Sequence, residues 1–193
     1  VFAFSLSNIF VSSCVVLLPI WYLHKSGVLR SGAPLASFGD SLNISSCLTN
    51  FGIHSIVIEI WFYSTHKLLH WGPLYKSIHK LHHTFKAPTA VACMYAHPVE
   101  FCLGNVAGVI LGPALTNAHP YECMFWMCFS LASTSGSHSG YPVFGAIDHD
   151  AHHEHLYCNY GTGVFMDKML GTEYEGSELQ ATVRTRTGAR KLQ

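Results

Sequence analysis

The sequence predicts an all-α integral membrane protein, built as a helical bundle of about four membrane helices beneath a histidine-rich helical cap. Hydrophobic residues make up 49% of the 193-residue chain and charged residues only 11%, against about 25% charged in an average soluble domain. Long apolar runs recur along the chain. Histidine is the most unusual residue, with 14 copies against 11 for Lys and Arg together.

Four apolar runs are the candidate membrane segments. Residues 1–23 are nearly free of charge and long enough to cross about 30 Å of hydrocarbon. Residues 43–63 form a second run. The runs at 99–115 and 121–133 are short, so we expect a helical hairpin whose second helix continues toward His138.

The distribution of charge predicts how the chain is organised and oriented. We expect one membrane-embedded domain over residues 1–172, truncated at its N-terminus, and a flexible polar tail at 173–193. Lys25 and Arg30 lie in the predicted loop at 24–42, and all other Lys and Arg residues lie in the histidine-bearing segments and the tail. The positive-inside rule therefore predicts that the histidines and the C-terminus are cytosolic. The formal net charge is zero, so we predict no nucleic-acid partner.

Histidines cluster three times at helical spacing. The clusters are His66 with His70, His79 with His82 and His83, and His149 with His152 and His153. Because residues three and four apart share one face of a helix, we expect each cluster to aim its imidazoles at one place. These histidines outnumber the ligands that one octahedral ion accepts, which favours two metal ions. Imidazole suits iron, zinc and copper alike, so the spacing alone leaves the metal open.

Other residues near the predicted helix ends are candidates for the same site. His97 and His138 lie at the predicted membrane boundary, level with the clusters, and are further candidate ligands. Four carboxylates beside candidate ligands would orient imidazoles through hydrogen bonds: Glu100, Asp148, Asp150 and Glu154. Glu59 precedes His66 by two helical turns, and we expect it to face either the site or a partner helix. No catalytic residue separate from the metal ligands is predicted.

The ordered boxes HxxxH, HxxHH and HxxHH resemble those of the fatty acid hydroxylase and sterol desaturase superfamily. Three flanking motifs complete the pattern: Tyr95-Ala96-His97-Pro98, Ser137-His138-Ser139-Gly140-Tyr141 and Asp167-Lys168-Met169-Leu170-Gly171-Thr172. The set is most similar to the C-4 methylsterol oxidase branch and to fatty acid hydroxylase domain-containing relatives, over residues 58–172. The chain departs from the family pattern at Lys67, where Arg is common, and at His155, but neither position alters the ligand spacing.

The resemblance implies a non-haem di-iron monooxygenase that uses O2 as co-substrate. It implies two Fe ions held by the three boxes together with His138 and His97. NAD(P)H would act indirectly, through cytochrome b5 or a similar electron carrier and its reductase. The implied protein is a multi-pass enzyme of the endoplasmic reticulum membrane. Its substrate, a C-4 methylsterol of sterol biosynthesis oxidised at a methyl group, would enter from the lipid bilayer.

Other functions remain open on the sequence. A fatty acyl or sphingolipid hydroxylase or desaturase would use the same metal site on another lipid. A catalytically inactive membrane paralogue would retain every box. A haem-binding electron carrier would need one or two histidines buried in mid-membrane, and the clustering of histidines at the membrane edge argues against it.

Overall fold

The computed structural model describes residues 2–11, 14, 39–86 and 89–174, and no strand occurs within them. The helices in chain order are α1 (Phe2–Val11), α2 (Ile44–Leu69), α3 (Gly72–Ser77), α4 (Pro98–Thr116), α5 (Pro120–Ser137), α6 (Ala146–His155) and α7 (Phe165–Leu170). Two 3₁₀ segments, His79–Thr84 and Ala90–Met94, lie between α3 and α4. The prediction of an all-α fold is confirmed for this part of the chain.

The long helix α2 carries a polar stripe toward the interior. It begins after Asn43, whose side chain accepts a hydrogen bond from the backbone N–H of Ser46, as expected of an N-cap. Its buried residues are His54, Glu59, Tyr63 and His66. The last three are spaced four and three residues apart, so they share one helix face. Large apolar residues on the other faces of α2 are exposed.

Helices α4 and α5 form the predicted hairpin. Asn117 ends α4 in a left-handed conformation with φ of 48°, and Pro120 begins α5, which runs to Ser137 next to His138. Helix α4 lies close against α2, because a Cβ at Gly112 would come within 2.9 Å of the Cα atom of His54. A side chain at this crossing would force the two helices apart.

Within the described residues, only α4 is both long and apolar enough to cross a membrane. Asn50, His54 and Glu59 lower the mean hydropathy of α2, and most of the predicted first span and first loop lies outside the described residues. The prediction of about four spans is therefore supported for one helix and stays a prediction for the others. Of the predicted polar tail, all but residues 173 and 174 is outside the described part.

The remaining elements gather where α2 and α5 end. Helix α6 packs against α5, and α7 packs against α2. The first 3₁₀ segment follows α3, and its three histidines are buried. This end of the molecule therefore collects all three histidine boxes into one layer.

Candidate metal centre

Nine histidines converge in two adjacent groups at this end of the bundle. The five-histidine group contains His66, His70, His79, His83 and His152. The four-histidine group contains His82, His138, His149 and His153. In each group the candidate ligand atoms all lie within 4.8 Å of one another. The groups touch, since the ring centroids of His83 and His153 are 4.6 Å apart.

All nine imidazoles turn Nε2 toward their own group. Neighbouring Nε2 atoms lie between 2.9 and 3.4 Å apart. Two nitrogen ligands at right angles on a metal, with bonds of about 2.1 Å, would be about 3.0 Å apart. The Nε2 spacing therefore matches the spacing of ligands around a shared ion.

The second and third boxes each contribute to both groups, which differs from the expectation that a box aims at one place. His82 joins the four-histidine group, while His79 and His83 join the other. His152 is likewise separated from His149 and His153. Consecutive residues project about 100° apart on an α-helix and about 120° apart on a 3₁₀ helix, so the two histidines that end each HxxHH box face different groups. The split binds the two groups into one centre.

Hydrogen bonds to Nδ1 determine which nitrogen of each ring is free. His66, His138 and His152 place Nδ1 2.6–2.8 Å from the carbonyl oxygens of Tyr160, Thr134 and Cys158 respectively. A carbonyl only accepts, so Nδ1 carries the proton in each ring and Nε2 keeps a lone pair. His79 Nδ1 also lies 2.7 Å from Glu100 Oε1, so this carboxyl group orients the ring. Lone pairs facing one another at about 3 Å repel unless a cation lies between them.

The groups are held neutral by burial. Burial, together with the nearby histidines, lowers the pKa of His70 to about 3 and of His153 to about 2. Burial also lowers the pKa of His138 and His152 to about 4, although hydrogen bonds to backbone carbonyls oppose the shift. Metal binding requires neutral imidazole, and these rings are neutral at physiological pH. Spacing, tautomer and charge state thus all fit a pair of metal ions.

The chain matches the family model described as Fatty acid hydroxylase over residues 51–172. That span holds all nine histidines and most of the described fold. The chain belongs to the fatty acid hydroxylase family. The membership that the ordered boxes indicated is thereby confirmed.

Relatives that are similar to this chain are named for different activities. The chain is 34% identical over 192 residues to a methylsterol monooxygenase of Aspergillus fumigatus, covering 89% of this chain and 63% of the relative. It is 36% identical over 129 residues to human fatty acid hydroxylase domain-containing protein 2, and this match covers 65% of this chain and 39% of the relative. It is 35% identical over 160 residues to a very-long-chain aldehyde decarbonylase of Oryza sativa subsp. indica, and this match covers 75% of this chain and 58% of the relative. The chain thus spans between 39% and 63% of these relatives' length. No solved structure matches it significantly.

The structure separates the remaining predicted site residues. His97 lies outside both groups and caps α4, where its Nδ1 accepts a hydrogen bond from the backbone N–H of Val99 at 3.2 Å. Glu100 contacts a candidate ligand, His79. The charged neighbours of Asp148 are instead Glu173, Lys168 and Asp167. Asp150 is half-buried and Glu154 is exposed on α6.

Two features of the centre carried no clear signal in the sequence. Asp167 is 1% exposed and holds the loop that precedes it, yet in the sequence it stands only as part of a flanking motif. The backbone carbonyls of Cys158 and Tyr160 orient two of the histidines, and a backbone acceptor leaves no mark in residue identity. Glu59, whose orientation was left open, turns toward this same loop.

A cavity of about 20 Å³ lies between α2, α4 and α5 and reaches histidines of both groups. Its lining outside the histidines includes Phe62, Leu69, Gly104 and Thr134. That volume admits a water-sized molecule. Gly104 leaves open space, because a Cβ placed there would meet no atom within 4 Å. The cavity therefore leaves a water-sized space between the helices and histidines of both groups.

Proposed function

We propose that this chain is a membrane-bound, non-haem di-iron monooxygenase that oxidises a methyl group of a C-4 methylsterol. The observation that carries the proposal is the convergence of nine histidine Nε2 atoms in two touching groups, beside a cavity lined by residues of the helices. The five-histidine group would hold one iron and the four-histidine group the other.

The chemistry favours iron over the other metals that imidazole accepts. Oxidising an unactivated C–H bond with O2 requires a redox-active centre, which side chains alone do not supply. A pair of irons would activate O2, and both irons would contribute electrons to its reduction. Five and four imidazoles do not fill two octahedral shells, so room for small molecules remains.

The chain's own residues would position the substrate and exclude water. The cavity brings Phe62, Gly104 and Thr134 against the histidines from the side of the helices. A lipid methyl group arriving there would meet the faces of both groups. Burial of the histidines keeps bulk water away from the reacting carbon, which limits side reactions.

Exposed apolar residues support a place in the membrane. Leu103 on α4 is 57% exposed and Phe125 on α5 is 63% exposed, whereas His54 and Glu59 inside the bundle are 1% and 6% exposed. A surface with this pattern is stable against lipid. With the positive-inside rule, the proposal places a multi-pass chain in the endoplasmic reticulum membrane with its metal centre in the cytosol. There, cytochrome b5 or a similar carrier and its reductase would deliver electrons from NAD(P)H.

The substrate is tested with the purified chain in lipid nanodiscs, loaded with Fe(II) and supplied with an electron carrier, its reductase, NAD(P)H and ¹⁸O2. A 4-methylsterol and a long-chain fatty acid would be offered together, and the products identified by mass spectrometry. We expect ¹⁸O in the oxidised 4-methyl group, and none with the His138→Ala variant, which lacks a candidate ligand.

Other outcomes distinguish the competing functions. An ¹⁸O-labelled hydroxy fatty acid without sterol product would contradict the sterol assignment and favour a fatty acyl or sphingolipid hydroxylase. Bound iron with no product from either lipid would favour an inactive paralogue. Release of a shortened hydrocarbon from an added long-chain aldehyde would favour the chemistry named for the rice relative.

A further inference from the structure

Two of the histidines in the five-histidine group are oriented by one loop. This loop, residues 156–164, joins α6 to α7, and we call it the carbonyl loop. The carbonyl oxygen of Cys158 accepts the Nδ1–H of His152 at 2.6 Å, and that of Tyr160 accepts the Nδ1–H of His66 at 2.7 Å. Each hydrogen bond keeps the proton on Nδ1 and leaves Nε2 free for a metal.

Glu59 holds the carbonyl loop from the side of α2. Its carboxylate accepts hydrogen bonds from the hydroxyl of Thr162 at 2.6 Å and from the backbone N–H groups of Gly163 and Met166 at 2.8 and 3.1 Å. Glu59 is 6% exposed and belongs to the buried stripe that also carries His66. A carboxylate buried among helices is costly, and at such sites it is a functional candidate.

Asp167 holds the same loop from α7. It accepts hydrogen bonds from the backbone N–H groups of Tyr160 and Gly161, both at 2.8 Å, and from the hydroxyl of Thr172 at 2.7 Å. Tyr160 therefore donates to Asp167 through its N–H while accepting from His66 through its carbonyl oxygen. Asp167 is thus connected to the candidate ligand His66 through the backbone of Tyr160.

A side chain at Gly161 would collide with both carboxylates and with the backbone carbonyl oxygen of Gly163. A Cβ at Gly161 would lie 2.5 Å from Glu59 Oε1 and 3.0 Å from Asp167 Oδ2, closer than atoms pack without displacement. Glycine is therefore the residue that lets both carboxylates reach the loop. The two acids and Gly161 form one unit.

We propose that Glu59 and Asp167 are positioning residues for one of the two metals. By holding the carbonyl loop they keep His66 and His152 in the Nδ1–H tautomer and present both Nε2 atoms to the ion of the five-histidine group. This inference rests on the proposed function, since it assumes that metals occupy the two groups. Within the described residues, the carbonyl loop makes no hydrogen bond to the four-histidine group, and His138 is oriented by Thr134 of its own helix.

The test compares Glu59→Gln and Asp167→Asn with the unsubstituted chain. Each protein is loaded with Fe(II) without oxygen, dialysed against a weak chelator and analysed for iron. Loss of such an orienting partner weakens metal binding by about 10- to 100-fold. We expect both variants to lose one iron and keep the other. Gly161→Ala, which displaces the loop without removing a carboxylate, should do the same.

The matched control is Glu122→Gln. Glu122 is a carboxylate on α5 of similar burial, 9% exposed, but its side chain bonds to Asn50 rather than to the carbonyl loop. It should retain both irons. Equal loss of both irons in the Glu59 and Asp167 variants, or full retention of both, would overturn the inference.

A second readout is independent of metal. In ¹⁵N-histidine NMR spectra of the metal-free chain, Glu59→Gln should remove the Nδ1–H pattern of His66 and His152 and leave that of His138 unchanged. Unaltered signals from His66 and His152 would overturn the positioning role. Absence of metal from the unsubstituted chain would instead contradict the proposed function, while these spectra would still decide the role of Glu59.

Discussion

At the scale of single residues, the sequence predicts which histidines are candidate ligands but not how they divide between the two groups. The spacing of the boxes is visible in the sequence, and nine of the ten predicted histidines meet in the two groups. The division was not predicted, although the 3₁₀ box and the α-helical box divide alike, with the first and last histidine in one group and the fourth-position histidine in the other. Which group each histidine joins depends on how the boxes pack against each other, which spacing does not show. His97 lies beside a motif typical of the family, yet its imidazole caps a helix. Spacing alone does not distinguish a capping ring from a ligand.

This difference predicts opposite results for His82→Ala and His97→Ala. His82 is one of four candidate donors to its ion, so its loss should reduce bound iron from about two to about one per chain. His97→Ala removes only a helix cap, which costs about 1 kcal/mol of stability, and should retain both irons. Iron analysis of the two purified variants checks this. Loss of iron from His97→Ala, or no loss from His82→Ala, would contradict the assignment of His82, but not His97, as a candidate ligand.

At the scale of elements, the regular helices were predictable and the irregular ones were not. The α4–α5 hairpin follows from two short apolar runs separated by a turn sequence with Pro120. The π turn at Phe101–Val106 within α4 has no recognisable pattern, although such turns frequently occur at functional sites. It includes Gly104, which lines the cavity. The cavity is therefore lined in part by a backbone irregularity that the sequence does not predict.

The open space at Gly104 leads to a prediction about access. Gly104→Leu should fill the cavity and abolish oxidation of the lipid, while iron content stays unchanged because Gly104 is not one of the candidate ligands. Gly52→Leu is the matched control, since a Cβ at Gly52 also meets nothing within 4 Å but Gly52 is exposed on α2. Turnover and iron content of both variants would be measured together. Full turnover by Gly104→Leu would exclude this cavity as the substrate route.

At the scale of the whole molecule, composition and box order were enough to predict the helical class and the family. The number of membrane spans does not follow from composition in the same way. Helix α2 has exposed apolar residues, as a membrane span would, but also carries the buried polar residues His54 and Glu59. Among the described residues, the largest fully buried side chains are polar, namely His54, His79, His152 and Asp167. The fold is thus organised around its histidines.

That interior predicts how the metal-free chain responds to acid. Burial lowers the pKa of His70 to about 3 and of His138 and His152 to about 4, whereas the unfolded value is about 6.5. Above that value both states are neutral and stability is insensitive to these groups. As pH falls from about 6.5 toward 4, these histidines become protonated in the unfolded chain but stay neutral in the folded chain. The free energy of unfolding therefore decreases. Thermal unfolding in detergent between pH 7.5 and 4.5 checks the sign. A chain that becomes more stable in acid would contradict the buried, neutral state of these rings.

The central claim is that two touching histidine groups hold two irons. Its most direct measurement is the iron content of the purified 193-residue chain after anaerobic loading with Fe(II) and removal of free metal, together with the visible absorption spectrum. We predict about two irons per chain, as expected of a two-metal site, and no Soret band. An iron content near zero, a single iron that no excess of Fe(II) raises, or a haem spectrum would contradict the account.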